Sequence, residues 1–294
     1  MKKIKIKSAI FPVAGMGTRF FPATKASPKE MLPIIDKPLI QYAVEEAVDA
    51  GIENLIFITS SDKMSIKNHF DKSHKIEVEL EKRNKIKELE LIKNILPKSI
   101  NCNYIIQAQT LGLGHAVLCA KSAVGDNPFA VILADDMILS SGIGCLSQMI
   151  SRYNSLDANI IAVEKVEKSL LHNYGIIEGI RKPNLKDWKL TGIIEKPDNN
   201  KAPSELGVVG RYILNPSIFN ILENTQKGSG DEIQLTDAIS SLITKEEVYA
   251  HEFNGKRFDC GSKLGFLKAT IQYGLSHNEL SEELKEYLKS LGLN

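Results

Sequence analysis

Residues 4–19 read IKIKSAIFPVAGMGTR, an apolar run followed by two closely spaced glycines. The apolar part, from Ile4 to Val13, predicts a buried β-strand. Gly15 and Gly17 permit a tight turn after that strand and leave backbone amides bare, which suits an anion such as phosphate. On the glycines alone a plain βα turn is the simpler interpretation, and the basic residues that follow reverse this preference.

Three basic side chains, Arg19, Lys25 and Lys29, follow the glycines. The guanidinium of Arg19 is a planar fork of donors that matches phosphate oxygens, and the two lysines add compact cations. Rival phosphate motifs are absent: Phe20 stands where a dinucleotide fingerprint needs its third glycine, and no P-loop sequence occurs. We therefore predict that this loop binds the phosphates of a triphosphate.

The composition is that of a globular protein with a full core: 294 residues, 43% hydrophobic and 25% charged. The net charge of +1 gives no electrostatic support for a nucleic-acid partner. No apolar run approaches the length of a membrane span, so no membrane partner is expected. The four cysteines are scattered without a CxxC pair, which favours reduced thiols in the cytoplasm.

Apolar runs and helical patterns alternate along the first half of the chain. Leu39–Ala50 has helical spacing and Leu55–Thr59 is a second apolar strand, which together make a βαβ start and call for a parallel sheet. The further strands that we predict are 103–107, 129–134, 159–163, 174–178, 190–197, 208–214 and 248–253. We expect one α/β unit with a mixed, mostly parallel sheet flanked by helices and a C-terminal helical extension.

Two segments predict helices on the surface of this unit. Residues 72–98 are rich in Glu and Lys, with an apolar stripe that includes Ile86 and Leu89, and predict one amphipathic helix ending near Pro97. Residues 280–291 carry four leucines at helical spacing. That stripe needs a cover, either the chain's own core or another subunit.

Carboxylates follow the strand predicted at residues 129–134. Asp135 and Asp136 come directly after it, where open α/β sheets bind ligands, and Asp259 lies far along the chain. All three are candidate ligands for Mg²⁺, which prefers such oxygens. A helix N-cap or turn explains the Asp pair as well. Glu195-Lys196 offers an acceptor for sugar hydroxyls and a cation for a phosphate, although such a pair is more often a plain strand end.

Seven segments together resemble the sugar-1-phosphate nucleotidylyltransferases. They are AGMGTR at 14–19, FPATKASPKEMLPIIDKPLIQY at 21–42, QTLGLGHAV at 109–117, LADD at 133–136, YGII at 174–177, IIEKP at 193–197 and FDCGS at 258–262. FPATKASPKEML resembles the uridylyl branch, which makes UDP-glucose and pyrophosphate from UTP and glucose 1-phosphate. The resemblance runs to about residue 275, includes the charged insertion, and implies the Rossmann-like nucleotide-diphospho-sugar transferase fold.

The resemblance also implies roles for single residues. The nucleotide-binding set is Ala14, Gly15, Gly17, Thr18, Lys25, Glu30, Gln107 and Gly112, of which Gln107 and Gly112 would read the uracil edge and Glu30 would lie near the nucleoside. The sugar-binding set is Gly175, Glu195, Lys196 and Val209, with Lys196 on the sugar phosphate. The catalytic set is Arg19, Lys29, Lys196 and Asp135. Asp135 and Asp259 would bind Mg²⁺, and Asp136 leaves the choice of metal ligand open.

The same resemblance implies a catalytic domain over residues 1–275 and a homodimer or homotetramer. The C-terminal helix over 276–294 is a candidate contact between subunits, because its leucine stripe needs a cover. Two other functions stay open at this point. One is thymidylyl transfer from dTTP, because uracil and thymine differ by a single methyl group. The other is a non-catalytic regulatory paralogue, although such a protein would be expected to lose the phosphate loop, which is complete here.

Overall fold

The structure, a computed structural model, describes residues 5–183 and 186–292. Its strands are β1 (Ser8–Pro12), β2 (Pro33–Ile34), β3 (Lys37–Pro38), β4 (Asn54–Thr59), β5 (Asn101–Ile106), β6 (Phe129–Ile132), β7 (Asp136–Leu139), β8 (Asn159–Lys165), β9 (Gly175–Arg181), β10 (Asp187–Glu195), β11 (Leu206–Leu214), β12 (Val248–Glu252) and β13 (Lys256–Asp259). Its helices are α1 (Leu39–Asp49), α2 (Met64–Phe70), α3 (His74–Lys82), α4 (Ile86–Lys93), α5 (Leu113–Cys119), α6 (Lys121–Val124), α7 (Cys145–Leu156), α8 (Ser217–Leu222), α9 (Leu235–Ile243), α10 (Lys263–Leu275) and α11 (Ser281–Ser290).

The main sheet has nine strands in the order β5-β4-β1-β6-β11-β8-β12-β10-β9. The half β5-β4-β1-β6 is parallel throughout. In the other half only β12 and β8 run parallel, and the remaining neighbours are antiparallel. The predicted mixed sheet flanked by helices is therefore confirmed. It is not mostly parallel as predicted, because parallel pairing is limited to the half built by the first part of the chain and to β8 with β12. The strands predicted at 174–178 and 190–197 are present as β9 and β10, which pair antiparallel, while Asn184 and Leu185 between them lie outside the described residues.

Apolar layers cover both faces of this sheet. Ile10 of β1 packs with α5, α8 and α9 on one face, whereas Ala9 and Phe11 pack with α1 and α7 on the other. Successive side chains of a strand point to opposite faces, so a strand covered on both faces is apolar at every position. This explains the apolar run of β1. The strand begins at Ser8, later than predicted, and the predicted first residue Ile4 lies outside the described residues.

A small antiparallel sheet, β7 with β13, forms beside the main one. Its register pairs Asp136 with Asp259. Met137 and Phe258 are buried with Leu39 of α1 in a separate apolar cluster, against which α10 also packs. The pairing brings together two acidic segments that are far apart in the sequence.

The charged segment between β4 and β5 differs from the single helix predicted for residues 72–98. It forms two helices, because α3 ends at Lys82 and α4 begins at Ile86. Asn84 between them has a φ of 56°, in the left-handed region that interrupts a helix. Of the predicted apolar stripe Leu89 is buried, while Ile86 is 50% exposed.

The predicted C-terminal helix is present as α11, which packs on α10. A Cβ atom on Gly274 would lie 2.7 Å from Cδ2 of Leu284, so this leucine is covered by α10. Leu280 and Leu291 at the ends of the stripe stay exposed. Residues 293 and 294 of the predicted extension lie outside the described residues. None of the helices in the described ranges has the length and apolarity needed to cross a lipid bilayer.

Candidate active site

The carboxyl ends of the four parallel strands carry the polar residues of the site. β1 is followed by the glycine loop, β4 by Lys63, β5 by Gln107 and β6 by Asp135. Parallel strands end at the same edge of a sheet, where open α/β sheets bind their ligands. The glycine loop, Gln107 and Asp135 were predicted from the sequence. Lys63 was missed, because a lone lysine in a polar loop shows no pattern.

The glycine loop leaves consecutive backbone amides without a protein acceptor. The Val13 amide donates to Ile58 across the sheet at 2.8 Å, but those of residues 14–17 donate to no group in the part of the chain that the structure describes. Gly17 has a φ of 65°, and a Cβ there would lie 3.1 Å from Cβ of Lys29. The Thr24 hydroxyl donates to the Gly17 carbonyl at 2.8 Å and fixes the turn. Such a row of free amides is suited to an anion.

Lys63 binds the backbone carbonyls of this loop. Its ammonium donates to the carbonyls of Val13 at 2.6 Å and Gly15 at 2.5 Å, and to Glu30 Oε2 at 2.9 Å. An ammonium has three donors, so all of them are used. Both Lys63 and Glu30 are buried, and burial raises the pKa of Glu30 although Lys63 and Lys29 oppose it. The Glu30 carboxylate is thus connected with the loop through Lys63. Its expected place near the nucleoside stays a prediction.

Lys29, which lies against Gly17 of the loop, forms an ion pair with Asp135. Nζ of Lys29 lies 2.5 Å from Oδ2 of Asp135, and both side chains are about one quarter exposed. Burial alone would raise the pKa of Asp135, but the Lys29 ammonium outweighs it and leaves the pKa below its usual value. Burial likewise opposes the charge of Lys29, yet Asp135 and Glu30 raise the Lys29 pKa. Both groups are therefore charged at neutral pH.

Gly261 forms the floor of a cradle between three charged side chains. A Cβ there would lie 3.0 Å from Oδ1 of Asp259, 3.1 Å from Oδ2 of Asp135 and 3.3 Å from Nη1 of Arg19. The small sheet builds the cradle, because the Cys260 amide donates to the Asp135 carbonyl at 2.7 Å. Any side chain at position 261 would fill the space where the three groups converge.

The two carboxylates of the cradle fit a hard divalent cation. Burial and the charges of Asp136 and Asp135 raise the pKa of Asp259, although Arg257 opposes this. A cation between Asp135 and Asp259 would relieve that repulsion. Mg²⁺ is commonly held by one or two carboxylates together with substrate phosphates and waters. Within residues 5–183 and 186–292 no cluster of three or more His, Cys, Asp or Glu side chains forms a metal site.

Asp136 is turned away from the cradle. Its Oδ1 accepts from Nε and Nη2 of Arg257 at 2.6 and 2.5 Å, and its Oδ2 accepts from the Gly210 amide at 2.8 Å. Both oxygens are thus satisfied by protein donors, whereas Asp135 faces Lys29 and the loop. This difference between neighbouring aspartates could not be predicted from their sequence, because it depends on Arg257.

Gln107 and Gly112 lie together on the predicted base side. Nε2 of Gln107 is 2.9 Å from Nδ1 of His115 and 3.4 Å from the Gly112 carbonyl. Gly112 has a φ of 104°, and a Cβ there would lie only 2.7 Å from Cβ of Glu232. The turn therefore needs glycine both for its backbone conformation and for the close approach of the segment before α9. Ile233 holds that segment in place, since its amide donates to Leu111 at 2.7 Å.

The four predicted sugar residues lie on the antiparallel half of the sheet. Gly175 pairs with Glu195 between β9 and β10, and the Lys196 amide donates to Tyr174 at 2.9 Å. Nζ of Lys196 lies 3.6 Å from Oε1 of Glu195, and the lysine is half exposed. Val209 on β11 is buried in the core, so only its backbone is available to a ligand.

The structure thus joins the predicted residues in two groups. Arg19, Lys29, Asp135 and Asp259 converge on the loop. Gly175, Glu195 and Lys196 lie together at the β9–β10 end, and Val209 is adjacent to Gly210, whose amide donates to Asp136. Lys25 and Thr18 are exposed on the loop and its following turn. No hydrogen bond or ion pair of the Lys25 side chain is present within the described ranges.

Known proteins were compared with the chain as a whole. A family model described as "Nucleotidyl transferase" matches residues 8–274. A protein of Staphylococcus saprophyticus named "UTP--glucose-1-phosphate uridylyltransferase 2" is 46% identical over 290 residues, which are 99% of each chain. A solved structure described as "UTP-bound UGPase from acinetobacter baumannii" superposes with a TM-score of 0.90 at 48% identity, over 99% of this chain and 100% of that one. A structure of "UDP-glucose pyrophosphorylase complexed with UDP-glucose" has a TM-score of 0.85 at 43% identity, over 93% and 100%.

Proposed function

Because the chain belongs to the nucleotidyl transferase family, we infer that it makes UDP-glucose and pyrophosphate from UTP and glucose 1-phosphate. Relatives named for this activity match nearly the whole chain, and similar structures hold UTP or UDP-glucose. The observation that carries the inference within the site is the convergence of Arg19, Lys29, Asp135 and Asp259 beside a loop of free amides. That edge has the charges that a triphosphate and a metal ion require.

We propose that the nucleotide lies along the parallel half of the sheet. The amides of residues 14–17 and the charges of Arg19 and Lys29 would bind the phosphates, while Gln107 and Gly112 would contact the uracil edge. Thr18 and Lys25 complete the proposed nucleotide set from the exposed side of the loop. Arg19 would offset the charge that grows on the leaving pyrophosphate, because its guanidinium is free of an ion pair in the described part of the chain.

Mg²⁺ is the proposed metal, and Asp135 and Asp259 are the residues that would hold it. The metal would neutralise phosphate oxygens and so lower the barrier to approach of a second anion. Lys29 would keep the Asp135 carboxylate ionised, since it lowers the pKa of that group. Asp136 is better explained as a support of the small β7–β13 sheet, because protein donors use both of its oxygens.

The sugar phosphate would bind across the antiparallel half. Gly175, Glu195 and the backbone of Val209 are the proposed contacts of the glucose, and Lys196 that of its phosphate. An oxygen of this phosphate attacks the α-phosphorus of UTP in line, and pyrophosphate leaves. Two polyanions repel each other, so the residues named here act by neutralisation and alignment, and no side-chain nucleophile is required.

A nucleotide comparison tests the function directly. With glucose 1-phosphate and Mg²⁺, we expect kcat/KM for UTP to exceed that for dTTP by at least about tenfold, because the base of dTTP carries an extra methyl group and its sugar lacks the 2′-hydroxyl of UTP. The measurement is pyrophosphate release in parallel assays, with glucose 1-phosphate left out as the control. Equal values would favour thymidylyl transfer, and no product with either nucleotide would favour a regulatory paralogue.

A homodimer or homotetramer is the proposed assembly, and α10 offers a surface for it. Leu264, Leu267 and Ile271 are 62%, 58% and 44% exposed at helical spacing on this helix. We expect Leu264→Glu with Leu267→Glu to lower the mass seen by light scattering, because charge on an apolar contact separates subunits. Lys93→Glu on α4 is the control for an added acidic charge. An unchanged mass in the double variant would remove α10 from the contact. The cytoplasmic location stays a prediction.

A further inference from the structure

Arg257 stands between the two groups of site residues. It is 9% exposed on β13, two residues before Asp259. Its Nε and Nη2 donate to Oδ1 of Asp136, whose other oxygen accepts from the amide of Gly210 beside Val209. One end of the guanidinium is therefore fixed to the turn that carries Asp135.

The other end of the guanidinium reaches the sugar side. Nη1 of Arg257 donates to Oε1 of Glu164 on β8 at 2.8 Å and to the hydroxyl of Tyr174 at 3.1 Å. The guanidinium carbon also lies 5.2 Å from the centre of the Tyr174 ring. Tyr174 precedes Gly175, and its carbonyl accepts the Lys196 amide at 2.9 Å. The fork thus connects, through Tyr174, with the backbone of Gly175 and Lys196, two of the four predicted sugar-binding residues.

Charge and shape make arginine specific to this position. Burial alone would lower the pKa of Arg257, but Asp136 and Glu164 raise it, so the side chain stays charged. A lysine has a single nitrogen and cannot reach Asp136, Glu164 and Tyr174 together with a planar fork. The Coulomb interaction is preserved in Arg257→Lys, whereas the bridge is lost.

We propose that Arg257 is a positioning residue that holds the sugar side, through Tyr174, at a set distance from the Asp135–Asp259 cradle. This rests on the proposed function, since it concerns the alignment of glucose 1-phosphate with UTP. In this proposal Arg257 acts on the substrates only through its protein partners Asp136, Glu164 and Tyr174. It acts by keeping the β9–β10 end, with Gly175 and Lys196, in a fixed position relative to the small sheet formed by β7 and β13.

The test separates the sugar contribution to binding from that of the nucleotide. Calorimetric titration with UDP-glucose and with UDP requires no catalysis, and the ratio of the two affinities reports the sugar side. We expect Arg257→Lys and Tyr174→Phe to lower the UDP-glucose affinity by about tenfold, the effect of losing one hydrogen bond to a charged group. The UDP affinity should stay within about twofold. KM for glucose 1-phosphate should rise in parallel, with KM for UTP unchanged.

Two further variants distinguish the proposed effect on sugar binding from a general folding defect. Asp136→Asn with Arg257→Met removes both partners of the buried pair. The Glu164 carboxylate loses its cation in this variant, but it is 28% exposed and so keeps access to solvent. We expect this double variant to fold and to show the same selective loss for UDP-glucose. Arg83→Lys on the surface is the matched control and should leave both affinities unchanged.

Three outcomes would overturn the proposal. Wild-type affinity for UDP-glucose in Arg257→Lys and Tyr174→Phe would do so, and so would an equal loss for UDP, which indicates a merely structural role. Full recovery in the double variant would show that Arg257 only neutralises Asp136. A wild-type chain that neither binds nor forms UDP-glucose would instead refute the proposed function, and the proposal for Arg257 with it.

Discussion

Arg19→Ala is expected to lower kcat for UDP-glucose formation by about 10²–10³-fold while the fold survives. Loss of one preorganised donor typically raises the barrier by about 3–4 kcal/mol. The Arg19 side chain is exposed, and its one hydrogen bond within the described residues is a weak one of 3.4 Å from Nη1 to the Gly261 carbonyl. Lys196→Ala should lose turnover to a similar degree, because its ammonium is the proposed cation for the sugar phosphate. The lysine is half exposed and its ammonium lies 3.6 Å from Glu195, so the fold should tolerate the change. Pyrophosphate release at saturating substrates measures both.

Exposed positions far from the loop provide the controls. Arg83 and Lys201 are 66% and 78% exposed, and their alanine variants should keep wild-type kcat. The Tm of all four variants should stay close to that of the wild type, since surface substitutions usually change stability by within about 0.5 kcal/mol. A near-normal kcat in Arg19→Ala or Lys196→Ala would remove that residue from the proposed mechanism.

Lys63→Met is expected to weaken both the fold and the phosphate loop. The variant leaves the buried Glu30 carboxylate without its cation and the Val13 and Gly15 carbonyls without a donor. Removing one partner of a buried ion pair typically costs about 3–5 kcal/mol, which corresponds to a fall in Tm of about 5–10 °C. We also expect the affinity for UTP to fall by at least about tenfold, because the loop carbonyls are released. Thermal unfolding and calorimetric titration with UTP measure the two effects.

A second substitution separates the two effects of Lys63. Glu30→Gln combined with Lys63→Met removes the unpaired charge, so the double variant should regain part of the lost Tm. Its affinity for UTP should stay low, since the carbonyls of Val13 and Gly15 still lack a donor. Lys93→Met on the surface is the matched control. Wild-type UTP affinity in the stable double variant would show that Lys63 does not support the loop.

Much of the fold could be predicted because it depends on local patterns. The apolar run before Gly15 and the helical spacing of Leu39–Ala50 place β1 and α1 within a few residues of their observed bounds. The charged segment could not be divided from its pattern, because the break depends on the left-handed conformation of Asn84. The spacing of the apolar residues is the same before and after such a break, so the pattern does not reveal where the helix is interrupted.

The site could be predicted only in part, because its remaining contacts are between distant segments. Lys63 lies in a polar loop without any motif, and its role follows from three acceptors that the fold brings around it. β7 and β13 are too short to show a pattern, so the approach of Asp259 to Asp135 could not be derived from spacing. The orientation of Asp136 depends in turn on Arg257, which is in the later of these strands.

The pairing of β13 with β7 also has a consequence for synthesis. β13 is the last strand in the described part of the chain, and it brings Asp259 and Arg257 to a turn made more than a hundred residues earlier. A nascent or prematurely terminated chain that stops before Lys256 carries the glycine loop, Lys29 and Asp135 but neither of these groups. Closing so long a segment is among the slower steps of folding. Under the proposed roles, a growing chain therefore contains its nucleotide-binding residues before it contains the second metal ligand.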